Sequence, residues 1–186
     1  MHHPRVPKMS WRLVKVIIVL PGAVLLFIPA AILLILQGSR YELEVASPAR
    51  VWFWLALCAA GVGLTLSVWT TALFMKFGGG TPAPWNPPRK LIIRGPYRYV
   101  RNPMITGVLL ILSAEALMLQ SWPIAIWMMV FLIGNAIYFP LVEERGLEKR
   151  FGDQYRNYKA HVPRWILRLR SWKQSSDDEE TSSECT

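Results

Sequence analysis

The chain has 186 residues, 53% of them hydrophobic, with nine tryptophans and a mean hydropathy of +0.28. It carries a formal net charge of +9 and holds only two cysteines and three histidines. These values set aside an ordinary soluble domain and a disulfide-stapled scaffold, and they point first to membrane spans.

Residues 16–36 and 51–75 are uncharged, and each run is long enough to cross roughly 30 Å of hydrocarbon. Arg5, Lys8, Arg12 and Lys15 precede the first run, as in a secretory signal. Its apolar core exceeds an h-region of about 7–15 residues, which favours a retained membrane helix. Pro21 and Pro29 are expected to kink it, a distortion membrane helices tolerate when neighbours satisfy the freed carbonyls. In the second run Ala59, Gly63 and Ser67 recur every four residues and predict a close helix-packing face. Trp52, Trp54, Trp69, Trp122 and Trp127 read as interface anchors or packing residues.

Residues 76–102 form the first long polar region. Gly78, Gly79 and Gly80, followed by Pro82, Pro84, Pro87 and Pro88, forbid a regular helix or central strand. No βαβ unit surrounds the glycines, so a hinge leading into a rigid extended lid is favoured over a phosphate cradle. The region ends in Gly95-Pro96-Tyr97-Arg98-Tyr99-Val100-Arg101-Asn102-Pro103-Met104. Asn102 suits an N-cap and Pro103 the first helical position. The next helix therefore opens at a basic surface with its free N–H groups and positive dipole end offered to an anion, such as the carboxylate of a cofactor or acceptor.

Residues 103–121 carry one charge, Glu115, and residues 123–142 none; Gln120-Ser121-Trp122-Pro123 between them predicts a tight helical hairpin. Glu115 lies about 18 Å along its helix at 1.5 Å per residue. An ionisable residue at that depth is a functional candidate by default. A protonated, hydrogen-bonded structural role is favoured here because no basic residue occupies the other spans.

Glu143 and Glu144 then place two acids where a helix dipole favours cations, so either the helix runs on or the pair has another purpose. Leu147, Phe151, Tyr155 and Tyr158 recur at helical spacing with Lys149, Arg150, Arg156 and Lys159 between them. This predicts an amphipathic surface helix, interrupted at Gly152 and stopped by Pro163. It is either an interfacial anchor or a roof over a pocket at the mouth of the bundle. The tail from Ser175, rich in Ser, Asp and Glu, is expected to be disordered.

Four spans at about 13–37, 51–75, 103–121 and 123–143, with both termini cytoplasmic, put nineteen of the 21 basic residues inside. The expected fold is an all-α integral membrane protein: four transmembrane helices and a C-terminal amphipathic interfacial helix. Residues 1–174 form one membrane-embedded domain and residues 175–186 an acidic tail. The positive charge is then a topology signal and an affinity for anionic lipid headgroups. Nucleic-acid binding is the weaker reading, because the basic residues flank membrane helices. Neither His2 nor Cys185-Thr186 belongs to a lipidation signal.

His2, His3 and His161 fall in no metal-ligand pattern, and no Ser–His or Cys–His pairing is present. What remains is a basic, tyrosine-bearing helix N-terminus and a carboxylate pair at the matching level of the adjoining helix. Together they could clamp a zwitterionic cofactor, with arginines and helix N–H groups on its carboxylate and Glu143 and Glu144 on its hydroxyls or amines. Plainer readings stand beside this one. Arg94, Arg98 and Arg101 could face lipid phosphates, Tyr97 and Tyr99 could be interface aromatics, and Glu143 and Glu144 could simply pair with nearby arginines.

Taken in order, Gly95 to Met104 with Gly107, Glu143-Glu144, Phe151-Gly152-x-x-Tyr155-x-x-Tyr158 and Val162-Pro163-Arg164-Trp165 closely resemble the isoprenylcysteine carboxyl methyltransferase family. The related phospholipid N-methyltransferases share the Asn-Pro-Met and Glu-Glu elements. The resemblance covers residues 77–166. It implies a membrane enzyme that uses S-adenosylmethionine, no metal, and a lipophilic or prenylated acceptor entering sideways from the bilayer. By position it assigns Tyr97, Arg101, Asn102, Pro103, Met104, Gly107, Glu143, Glu144, Tyr155, Tyr158 and Arg164 to the cofactor pocket, with Arg101 and Glu144 as the catalytic pair. Its setting would be the plasma membrane of a prokaryote or the endoplasmic reticulum of a eukaryote.

Many carboxyl methyltransferases have His where this chain has Asn102 and Tyr where it has Ile105; Asn is what the phospholipid enzymes carry. Carboxyl O-methylation of an isoprenylcysteine-type acceptor is the leading expectation and phospholipid N-methylation the alternative. A carboxylate acceptor needs no base, whereas an amine must lose a proton, for which Glu143 or Glu144 is the candidate. A sterol-reductase-like protein and a non-catalytic four-span scaffold or lipid-binding protein are the remaining readings. The Glu-Glu pair and the aromatic C-terminal helix argue against the former.

Overall fold

The computed structural model describes residues 21–36, 44–78, 91–165, 168 and 172. The start of the first expected span, the Gly- and Pro-rich stretch 79–90 and the acidic tail lie outside them. Among the described residues the elements are helical, with no strand. In chain order they are α1 (Ala23–Leu36), α2 (Val51–Phe77), a 3-10 turn (Gly95–Arg98), α3 (Pro103–Met118), α4 (Trp122–Tyr138) and α5 (Glu144–His161).

Two helices are long and apolar enough to cross a membrane: α2 and the run Trp122–His161. Four spans were expected. α1 and α3 are apolar but shorter; the 16 residues of α3 cover about 24 Å against a hydrocarbon core of roughly 30 Å. The outward faces match a lipid solvent. Trp52, Leu57, Val62, Leu64 and Val68 on α2, and Ile126, Val130, Ile133 and Ile137 on α4, are all exposed. An aqueous surface would not carry so continuous an apolar face.

α3 lies at the centre, burying Pro103, Gly107, Val108, Leu112 and Ala114. The small-residue face of α2 is what lets it in. A Cβ on Gly63 would stand 2.7 Å from the Gly107 carbonyl, and one on Gly107 would overlap Ser67 Oγ and stand 2.9 Å from the Gly63 carbonyl. Backbone meets backbone here, as in small-residue membrane contacts.

The hairpin forms where expected. Ser121 N–H donates to the Ala116 carbonyl at 2.9 Å, Gln120 N–H donates to that of Leu117 at 3.4 Å, and Gln120 takes a left-handed φ of 43°. That is a Schellman ending with Gln where Gly is usual. It places Glu115 in the last turn of α3, away from the helix middle. One of the Glu115 carboxyl oxygens, Oε2, is buried without a hydrogen-bond partner.

The helix of the fourth expected span runs on past residue 143. Pro140 supplies no N–H, and a π-turn over Phe139–Glu143 absorbs the gap, so α4 runs on into α5. α5 does break at Gly152 (φ 51°, ψ −128°) and stops before Pro163. Its apolar face packs on protein: Tyr155, Tyr158 and Val162 form a buried cluster with Leu91, Ile93, Leu147, Phe151 and Trp172.

Gly107→Ala is expected to push α2 and α3 apart and lower thermal stability in detergent by about 1–3 kcal/mol, the usual cost of overpacking. Adding Ser67→Ala should recover only part of that loss, because the Gly63 carbonyl still meets the new methyl. Full recovery would show that the side chain alone sets the contact.

Candidate functional site

The ends of α2, α3 and α4 that carry polar residues converge on one side of the fold. Gly95, at φ 56°, lets the chain turn tightly against Trp69 and Leu73 of α2; a Cβ there would stand 3.1 Å from Leu73. Tyr97 then packs edge-on against Phe74 at 5.7 Å, and the Arg94 guanidinium lies 4.5 Å from the centre of the Phe77 ring. The arginine-rich segment is thereby held on the end of α2 as it enters α3.

The C-terminal segment is laced along this same stretch. Arg101 N–H donates to the Pro163 carbonyl at 3.0 Å, Arg168 N–H to that of Tyr99 at 3.0 Å, and Trp172 N–H to that of Arg98 at 3.2 Å. From α5, the Tyr158 hydroxyl donates to the Tyr97 carbonyl at 2.6 Å. Trp165 stands edge-on to Phe139 at 6.1 Å, closing the side next to the π-turn.

At the centre is Glu144, 3% exposed. Its Oε1 accepts from Arg101 Nη1 at 2.9 Å and from Arg164 Nε at 2.8 Å, and its Oε2 pairs with Lys159 Nζ at 3.1 Å. Of the two readings of these groups, a clamp across a gap and direct pairing with nearby arginines, Arg101 and Glu144 show direct pairing. Desolvation favours direct pairing of two such buried groups. Burial alone would raise the Glu144 pKa. The hydrogen bond from Arg164, the charge of Arg101 and the hydrogen bond from Lys159 overcome it and hold the carboxyl below its ordinary 4.5.

The expected acidic pair divides. Glu143 and Glu144 are adjacent on a helix, about 100° apart, so Glu143 faces outward and is exposed. Crowding by surrounding protein and the like charge of Glu144 push its pKa up to about 7, a shift tempered by its open surface. Burial pushes the hydroxyls of Tyr97, Tyr155 and Tyr158 up, so all three stay protonated at neutral pH.

Asn102 occupies the N-cap position of α3 but its side chain makes no capping hydrogen bond. At φ −120° and ψ 58° the residue lies outside the extended geometry that aims a side chain at the first-turn N–H groups. Pro103 is buried just inside the helix, and Met104 is partly exposed beside it. Gly107 sits in the α2–α3 contact. Thus Tyr97, Arg101, Glu144, Tyr155, Tyr158 and Arg164 are brought together, Glu143 stands at their edge, and Asn102 to Met104 lie at the helix mouth.

Two observations suit a ligand carboxylate here. Arg101 Nε is buried and has no hydrogen-bond partner, although the side chain is only 10% exposed. The α3 N-terminus lacks a side-chain cap, which leaves first-turn donors for an anion. Sequence reasoning missed Lys159 and Glu148, whose ion pair at 2.8 Å reaches across the Gly152 break. The one available signal was their position on either side of that glycine.

The family model described as phospholipid methyltransferase matches residues 50–154, more than half of the chain. The matched stretch includes Arg101, Asn102, Glu143 and Glu144. No curated protein and no solved structure matches the chain significantly.

The depressed Glu144 pKa has a definite pH signature. The unfolded carboxyl takes up its proton at higher pH than the folded one, so its contribution to stability is complete above about 4.5 and disappears as pH falls through the folded value. Acid unfolding should therefore show a steep loss below pH 4.5 that Glu144→Gln abolishes, at the cost of lower stability at neutral pH. An unchanged acid limb in that variant would contradict the pairing.

Proposed function

The chain belongs to the phospholipid methyltransferase family, and from that premise we propose that it is a membrane methyltransferase passing a methyl group from S-adenosylmethionine to a lipid-borne acceptor. The carrying observation is the meeting of Arg101, Arg164 and Glu144 at the mouth of α3, with one buried guanidinium donor to spare. S-adenosylmethionine, when bound, supplies a methyl group activated by its sulfonium. Arg101 Nε and the first-turn N–H groups of α3 would bind the carboxylate of its amino-acid end. Tyr97, Tyr155, Tyr158 and Arg164 would wall the pocket and exclude water, which matters because methyl transfer spreads charge and gains most from positioning and desolvation. The neutral tyrosines act as walls and hydrogen-bond donors.

We favour the amine of a phospholipid headgroup as acceptor. An ammonium must lose a proton before it can attack, and Glu143, exposed beside the site with its pKa pushed up to about 7, is placed to take one. Asn102 agrees with this choice. The carboxylate of a prenylated cysteine is the second reading, favoured by the Val162-Pro163-Arg164-Trp165 stretch that packs into the site from beyond the matched region.

Two measurements test the proposal. Purified protein in lipid nanodiscs should bind S-adenosylmethionine, and Arg101→Lys should bind it at least about tenfold more weakly, because an ammonium cannot serve Glu144 and a second carboxylate through one planar fork. Binding equal to wild type would remove Arg101 from the cofactor site. Label from the methyl group should enter aminophospholipid, at a rate that rises with pH as Glu143, its pKa raised above the ordinary carboxylate value, loses its proton. Glu143→Gln should slow the reaction and flatten that rise. Label appearing only in a farnesylated cysteine analogue would select the second reading, and no label in either would favour a non-catalytic membrane protein.

A further inference from the structure

Lys159 and Glu148 are 11 residues apart, about 16 Å along a straight helix. Yet Lys159 Nζ lies 2.8 Å from Glu148 Oε1 and 3.1 Å from Glu144 Oε2. Only a sharp turn of the helix between them permits this. Gly152 provides it, at a φ of 51° and ψ of −128° that residues with a Cβ rarely adopt. The last turns of α5 are thus folded back over its first.

The consequence lies in how Glu144 is held. Both arginines use Oε1, so neither of them holds the second oxygen. Lys159 takes Oε2. The groups facing Glu144 are then Arg101 at the entry to α3, Arg164 on the C-terminal segment, Lys159 and Tyr155 on α5, and Glu143 beside it. We propose that Lys159 is a positioning residue for the cofactor site: carried there by the Gly152 bend, it pins the second oxygen of Glu144 and so keeps Arg101 oriented with its buried Nε unpaired within the protein, the donor that a ligand carboxylate would take up. This rests on the methyltransferase reading. It assigns Lys159 a task other than stapling the bend through Glu148 or meeting lipid headgroups.

An ion pair at the surface contributes little, but the oxygen that Lys159 holds belongs to a side chain only 4% exposed. Loss of one charge-assisted hydrogen bond to such a group corresponds to about a tenfold change in an equilibrium.

The test uses the full chain in nanodiscs and equilibrium binding of S-adenosylmethionine. Lys159→Met should weaken binding about tenfold, Lys159→Arg should stay near wild type, and Glu148→Gln should change it less than about threefold. Glu148→Gln separates positioning from stapling: it breaks the ion pair across the bend but leaves Lys159 on Glu144. A loss of binding in Glu148→Gln as large as that in Lys159→Met would overturn the proposal in favour of a staple. A second readout needs no cofactor: Lys159→Met should move the loss of stability in acid to higher pH, because Glu144 has lost a cation that keeps it ionised. An acid limb unchanged in Lys159→Met would also overturn it. If the wild type binds no S-adenosylmethionine, the methyltransferase reading fails, and the acid limb still decides whether Lys159 acts through Glu144.

Discussion

Everything at the polar end of this fold is organised by one buried carboxylate. Glu144 is 3% exposed, so it can remain ionised only with partners at contact distance. It finds three, each from a different stretch of chain: Arg101 before α3, Lys159 at the end of α5 and Arg164 on the segment beyond. Buried ion pairs seldom add net stability over a well-packed apolar core, but removing one member strands the rest at a cost of about 3–5 kcal/mol. The consequence is therefore geometric. Three segments are registered on one another, and the backbone bonds from Arg101 to Pro163, Arg168 to Tyr99 and Trp172 to Arg98 complete the register.

That arrangement needs a firm base, which the membrane-facing part supplies. Gly63 and Ser67 against Gly107 bring α2 and α3 to backbone contact. The close approach carries Phe74 and Phe77 to where they hold Tyr97 and Arg94. The entry to α3 is thus fixed from below by packing and from above by charge. Helices that expose apolar side chains along their length, yet gather polar groups at one end, suit a site whose acceptor resides in lipid while its cofactor comes from water.

The features legible in the sequence are those that local physics decides. Pro103 marks the start of α3, Gln120 and Ser121 turn the hairpin, Gly152 breaks α5, and the four-residue repeat of small residues on α2 marks a packing face. What escaped was set by distant partners. Arg101 and Glu144 are 43 residues apart; that the acids could pair with arginines was legible, but nothing near either decides between contact and a cavity between them. The divergence of Glu143 from Glu144 depends on α4 running on into α5, one of the two outcomes that acids at a helix end allow, but the π-turn that carries it past Pro140 is not something a proline near a span end suggests. Asn102 was read as a cap from its residue type, whereas the backbone at that position turns its side chain away from the task. The pairing of Lys159 with Glu148 and Glu144 could emerge only once the angle at Gly152 was known.

On the proposed reading, the cluster around Glu144 at the mouth of α3 is a cofactor site. Hydrogen–deuterium exchange of the protein in nanodiscs, with and without saturating S-adenosylmethionine, tests it most directly. Exchange should slow over residues 97–107 and 144–165 and stay unchanged at the 118–124 hairpin on the far side of the fold. Protection confined to that hairpin, or no protection anywhere, would contradict it.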